Sequence, residues 1–166
     1  MVSCSLVQVL PLLHIDDSEN DRLLVEQAIF LSGTQFEFHG AGSFGEALLY
    51  FQSHGAGGAR RFPLPSLVLL DYDLGKTNGA DFLYWLRARK HLTSVPVVML
   101  SGSPGRGRVG ECYAAGANYF LNKPAGIERM KAIVRALRFG LRGAEGLSGI
   151  VFLKEYQPPS WQLHSP

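Results

Sequence analysis

Asp71 closes the apolar run Ser-Leu-Val-Leu-Leu-Asp at residues 66–71. A buried strand that ends on a carboxylate holds that group rigidly at the rim of a sheet, where open parallel sheets bind their ligands. Such a group can serve as a nucleophile or a metal ligand. Other strand-like runs end on groups of matching chemistry: the acidic pair Asp16 and Asp17, the hydroxyl of Ser101 and the ammonium of Lys123. Three carboxylates on neighbouring strand ends repel one another, so some stay protonated unless a cation neutralises them. Mg²⁺ suits such a site, because it prefers oxygen ligands and leaves positions open for phosphate oxygens. With that charge balanced, Asp71 can attack a phosphoryl group and form an aspartyl phosphate, while Lys123 and Ser101 each serve one phosphoryl oxygen.

The runs that deliver these groups are Val9 to Ile15, Ser66 to Leu70, Val95 to Leu100 and Asn118 to Leu121. All are strand-length and mix leucine with β-branched or aromatic residues. A fifth run, Gln35 to His39, alternates polar and apolar residues and reads as an edge strand with one wet face. Helical segments lie between them. Ser18 to Leu31 has Ser18 and Asp21 in capping-box spacing, Gly33 as a stop, and Leu24, Ala28 and Leu31 on one face. Ser43 with Glu46 opens a second helix to about Ser53, and Asn78 caps a third in which Phe82, Leu83 and Leu86 face inward. The last, about Gly126 to Leu141, sets Ile127, Met130, Val134, Leu137 and Leu141 on one stripe, with Lys131, Arg135, Arg138 and Arg142 on its other side. From Pro104 to Gly116 the helical pattern is weakened by Gly105, Gly107 and Gly110, each costing about 1 kcal/mol relative to alanine. Five strands alternating with five helices predict a doubly wound α/β domain with right-handed crossovers and its ligand site outside the strands' carboxyl ends.

Composition selects no special partner. Sixteen basic against fourteen acidic residues leave a net charge of +2, too small a surplus to predict nucleic-acid binding. Cys4 and Cys112 have neither metal-knuckle nor redox spacing and read as reduced thiols. No segment has the pattern of a secretory signal or a bilayer span, so a cytoplasmic protein without membrane contact is expected.

As a set, His14-Ile15-Asp16-Asp17-Ser18, Leu69-Leu70-Asp71 followed by Asn78-Gly79, Val97-Val98-Met99-Leu100-Ser101-Gly102, and Gly116-Ala117-Asn118-Tyr119-Phe120-Leu121-Asn122-Lys123-Pro124 resemble the receiver domain of two-component response regulators. The resemblance runs over roughly residues 8 to 140, with every motif in family order. It implies a (βα)5 flavodoxin-like fold of strand order 2-1-3-4-5, with Asp71 as phosphoacceptor for a histidine kinase or phosphotransfer protein. Mg²⁺ would be held by Asp17 and Asp71 directly, by Asp16 through water, and by the main-chain carbonyl of Asp73. Ser101 matches the hydroxyl that senses the phosphoryl group, Lys123 the family's lysine and Phe120 the aromatic switch position. The Lys123–Pro124 bond is expected to be cis. Gly75 replaces a frequent proline and is expected to loosen the loop after Asp71, and the glycines after Ser101 depart most from the pattern.

The expected organisation is a tail at 1–7, a receiver at 8–142 and an extension at 143–166 whose apolar residues pack on the receiver or on a second subunit. A stand-alone receiver of this kind signals by protein contact with a downstream target, without a DNA-binding domain. Its only chemistry would be self-phosphorylation from small donors and self-dephosphorylation. His14 reads as a core residue. The basic stripe of the last helix reads as a solvated face, with an electrostatic contact in a receiver dimer or with a kinase, on the surface of the fourth helix, fifth strand and fifth helix, as its functional alternative. Two competing functions are a haloacid-dehalogenase-like phosphatase using Asp71 and Asp73, and a pseudo-receiver that only binds partners. Against the phosphatase, the acidic pair lies on the first strand, with none after Lys123.

Overall fold

The computed structural model describes residues 8–52, 62–103 and 105–141. Five parallel strands form its sheet: β1 (Leu10–Ile15), β2 (Phe36–Ala41), β3 (Leu67–Asp71), β4 (Val97–Ser101) and β5 (Tyr119–Asn122), in spatial order 2-1-3-4-5. The helices are α1 (Glu19–Ser32), α2 (Phe44–Gln52), α3 (Gly79–Arg87), α4 (Arg106–Ala114) and α5 (Ile127–Gly140). This is the expected doubly wound architecture.

Side chains alternate across a strand, and both faces here are apolar. Leu12, Leu67, Leu69, Val98, Leu100 and Leu121 pack with α1 and α5, whereas Leu13, Ile15, Val68, Leu70, Val97, Met99 and Phe120 pack with α2, α3 and α4. That double burial explains why β1, β3 and β4 read as continuous apolar runs. The crossover helices turn the carboxyl ends of all five strands to one edge, which brings residues 16, 71, 101 and 123 together although they lie far apart in sequence.

The helix caps follow the local sequence. Ser18 Oγ accepts the Asp21 N–H at 3.2 Å, Ser43 Oγ the Glu46 N–H at 3.1 Å and Asn78 Oδ1 the Asp81 N–H at 2.8 Å. Gly33 ends α1 in the left-handed region at φ +65°. The inner face of α1 is Val25, Ala28 and Ile29, so Leu31, expected on that face with Leu24 and Ala28, is 56% exposed and lies outside it. Helix α4 forms despite its glycines because Val109 and Cys112 are buried against the sheet.

Several expectations need correction. Gly75 does not loosen its loop: at φ +68° it takes the first central position of a tight turn joining Asp73–Leu74 to Thr77–Asn78 in an antiparallel ribbon, a conformation closed to proline. Arg138 is not on a solvated face. It is 7% exposed, donates to the Gln8 carbonyl and lies 5.8 Å from the Phe36 ring centroid, since an arginine's apolar stem can be buried while its head meets a polar partner. Of the other stripe residues, Lys131 pairs with Glu128 at 2.9 Å and Arg135 is exposed. The Lys123–Pro124 bond is trans, the isomer that X–Pro bonds favour by roughly 0.5–1 kcal/mol. The tails at 1–7 and 143–166, with Cys4 and Arg142, lie outside the described residues.

Candidate functional site

Strand β1 stops at Ile15 because the next residues form the entrance to α1. The Asp16 backbone N–H still bonds the Ala41 carbonyl at 3.0 Å, and its carbonyl accepts from the Arg22 guanidinium. Asp16 Oδ1 accepts the Ser18 N–H at 2.9 Å, which fixes the carboxylate against the cap of α1. Its Oδ2 lies 2.8 Å from Lys123 Nζ and 3.5 Å from His14 Nε2. Asp16 is fully buried, Asp17 is exposed and Asp71 is 3% exposed, yet one oxygen of each lies within 4.8 Å of the others.

Lys123 reaches this cluster from the end of β5. Its backbone N–H bonds the Ser101 carbonyl at 2.9 Å, and its Nζ lies 3.2 Å from Asp71 Oδ2 and 2.8 Å from Asp21 Oδ2. Burial, then the charge of Asp16, push the Asp71 carboxyl up to about 6, against the pull of Lys123. Burial alone would lower the Lys123 ammonium, but its pairs with Asp16 and Asp21 hold it above the ordinary lysine value. Burial would raise Asp16, yet His14 and Lys123 together hold its carboxyl below its ordinary value. His14, fully buried, is shifted downward by that burial and has no hydrogen bond to either ring nitrogen.

Glycine 79 sets how closely α3 approaches the cluster. A Cβ built there would stand 2.2 Å from the Asp71 carbonyl oxygen and 2.9 Å from Met99 Cε, so only hydrogen fits. The Gly79 N–H donates to the Tyr72 carbonyl at 2.7 Å, making Asp73 and Asn78 the ribbon pair that exchanges no ladder bonds. The Asp73 carbonyl thus stays outside the ladder, while its side chain turns away to Arg108 Nη1 at 2.9 Å. Arg108 also lies 4.6 Å from the Tyr72 ring centroid, and Tyr72 Oη donates to Glu111 Oε2 at 2.6 Å, a bond that pushes the phenol up to about 12.

Asp16, Asp17, Asp71 and Lys123 therefore converge. Ser101 is fully buried at the end of β4, next to the strand of Asp71, and its Oγ accepts the Ser103 N–H at 3.3 Å. Phe120 is 1% exposed and belongs to the core under α4 rather than to the acidic cluster. Asp21, the α4 links from Tyr72 and Asp73, and the close approach at Gly79 escape sequence reasoning. For Asp21 a signal existed, since an acid in the first turn of α1 sits at the edge where the strands end.

Three hard oxygen donors, one each from Asp16, Asp17 and Asp71 within 4.8 Å of one another, are the donor set a small divalent cation takes. Transition metals with softer preferences would want nitrogen or sulfur, which the cluster lacks.

The family model for the response regulator receiver domain matches residues 12–135. A "Probable chemotaxis protein CheY" of Rhizobium etli is 28% identical over 134 residues, covering 80% of this chain and 95% of the relative. Response regulator Rre1 of Synechocystis is 32% identical over 80% of this chain, which spans only 53% of that relative. Among solved structures, the Mn²⁺-bound form of response regulator Rcp1 superposes with a TM-score of 0.66 at 26% identity, covering 77% of this chain and 91% of Rcp1.

Proposed function

Because the chain belongs to the response regulator receiver domain family, we propose that Asp71 accepts a phosphoryl group from a histidine kinase or phosphotransfer protein and that the modified receiver signals by contact with a downstream protein. The observation that carries this reading is the convergence of Asp16, Asp17 and Asp71 oxygens within 4.8 Å, with Lys123 Nζ 3.2 Å from Asp71.

An Asp71 carboxylate oxygen attacks the donor phosphorus, a P–O bond forms, and the donor's P–N or P–O bond breaks with its electron pair leaving on the imidazole or carboxylate. Attack requires the ionised carboxylate, and in the fold that form is opposed by burial and by Asp16. Asp17 and Asp71, Asp16 through water, and the Asp73 carbonyl would hold Mg²⁺, which supplies charge neutralisation for the acids and the phosphoryl oxygens. Rcp1, solved with Mn²⁺, supports a divalent ion in this setting. Lys123 takes one phosphoryl oxygen. Ser101 Oγ accepts the Ser103 N–H and carries a hydroxyl hydrogen that it can donate to another. Phe120 follows Ser101 through the packed core, which shifts an existing equilibrium between two arrangements of the α4 face.

A phosphatase reading needs Asp73 as general acid beside Asp71. Its carboxylate is instead exposed and committed to Arg108, which favours the phosphoacceptor. A Phos-tag gel after incubation with acetyl phosphate tests the proposal: a shifted band is expected with Mg²⁺ and none with a chelator. An unshifted wild type in Mg²⁺ would instead support a receiver that only binds partners.

A further inference from the structure

Lys123 Nζ faces three carboxylates at ion-pair distance: Asp16 at 2.8 Å, Asp21 at 2.8 Å and Asp71 at 3.2 Å. An ammonium carries three N–H donors and no acceptor. Three carboxylates crowd the resting ammonium, and its pair with Asp21 has hydrogen-bond geometry, so an incoming phosphoryl oxygen competes with Asp21 for that donor.

The three partners are not equally replaceable. Side-chain exposure is 0% for Asp16 and 5% for Asp71, but 38% for Asp21. Stripping the lysine from buried Asp16 leaves an uncompensated charge, and Asp71 is itself the attacking group, whereas water solvates Asp21 once the pair opens. Asp21 also sits in the first turn of α1, where the helix dipole favours a carboxylate, and its backbone is pinned by the Ser18 cap. We infer that Asp21 is a positioning residue for Lys123: it holds the ammonium in the resting site and is the partner given up when Lys123 takes a phosphoryl oxygen. The inference rests on the reading of Asp71 as phosphoacceptor and adds a residue that governs how fast it is modified.

The test is the initial rate of modification of the full chain by acetyl phosphate in excess Mg²⁺ at fixed ionic strength. Asp21→Asn is expected to react roughly two- to fivefold faster than wild type, the size set by opening one half-exposed ion pair. Asp21→Glu, which retains a carboxylate for Lys123, should return towards the wild-type rate. Glu19→Gln, an exposed acid in the same turn, controls for the loss of one negative charge and should leave the rate unchanged. Thermal unfolding of Asp21→Asn verifies that the fold is intact, since the Ser18 cap uses only its backbone N–H. An Asp21→Asn rate at or below wild type, or equal acceleration in Glu19→Gln, overturns the inference and leaves the phosphoacceptor reading standing. A wild type that takes no phosphoryl group removes both.

Discussion

Replacing Asp71 by asparagine should make the metal-free protein more stable, even though it deletes a carboxylate 3.2 Å from Lys123. The reason is the rise of the Asp71 carboxyl from 3.8 to about 6, which burial and Asp16 cause despite the lysine. A carboxyl whose pKa in the fold lies above its unfolded value favours folding when protonated, and that stability is lost as pH rises from about 4 to about 6. At about 1.4 kcal/mol per pH unit, the ionised form costs at most roughly 3 kcal/mol near neutrality. Asparagine keeps the shape and removes the charge, so Asp71→Asn should gain about 1–3 kcal/mol over wild type at about pH 7.5 in chelator. At about pH 5 the wild type recovers roughly 1.4 kcal/mol by protonation, and the gap narrows by that amount. Urea denaturation at the two pH values measures it, and taking the difference between the proteins cancels the titration of groups they share. Excess Mg²⁺ should stabilise the wild type more than the variant, because a ligand stabilises the state that binds it. An Asp71→Asn protein less stable than wild type near neutrality, or a gap independent of pH, would refute this account of the site's electrostatics.

Other substitutions probe the supports of the site. Gly79→Ala, whose Cβ would meet the Asp71 carbonyl at 2.2 Å, should cost about 1–3 kcal/mol in denaturant titrations and slow modification of Asp71. Arg138→Glu should destabilise by about 2–4 kcal/mol, because it buries a charge where Arg138 now bonds Gln8, whereas Arg135→Glu on the exposed face should stay within about 0.5 kcal/mol. Tyr72→Phe removes the bond to Glu111 and should cost about 1–2 kcal/mol, with amide exchange accelerated across residues 106–114.

Local signals made much of this legible. Ser18, Ser43 and Asn78 cap the helices that follow them, and the runs ending at Ile15, Asp71 and Ser101 are buried on both faces as their apolar continuity required. Because a parallel sheet turns all strand ends to one edge, Asp16, Asp71, Ser101 and Lys123 could be grouped without knowing any distance. What stayed hidden depends on pairing across the chain. Lys123 and Asp21 are 102 residues apart, and Arg138 and Gln8 are 130 apart, so the first-turn position of Asp21 marks its edge but not its partner, and no pattern within α5 marks Arg138 as buried. The outward turn of Leu31 follows from a small rotation of α1 that puts Val25 and Ile29 inward, a choice that α1's leucine spacing alone leaves open. Gly75 was misjudged because its role depends on the left-handed backbone of a two-residue turn.

The central claim concerns one carboxylate, and mapping the modification tests it most directly. After treatment with acetyl phosphate and Mg²⁺, mass spectrometry of the intact chain and its peptides should show one added phosphoryl group on wild type, located at Asp71. Asp71→Asn, folded by circular dichroism, should gain none. Modification at another residue, or an equal gain in Asp71→Asn, would contradict the assignment of Asp71 as phosphoacceptor.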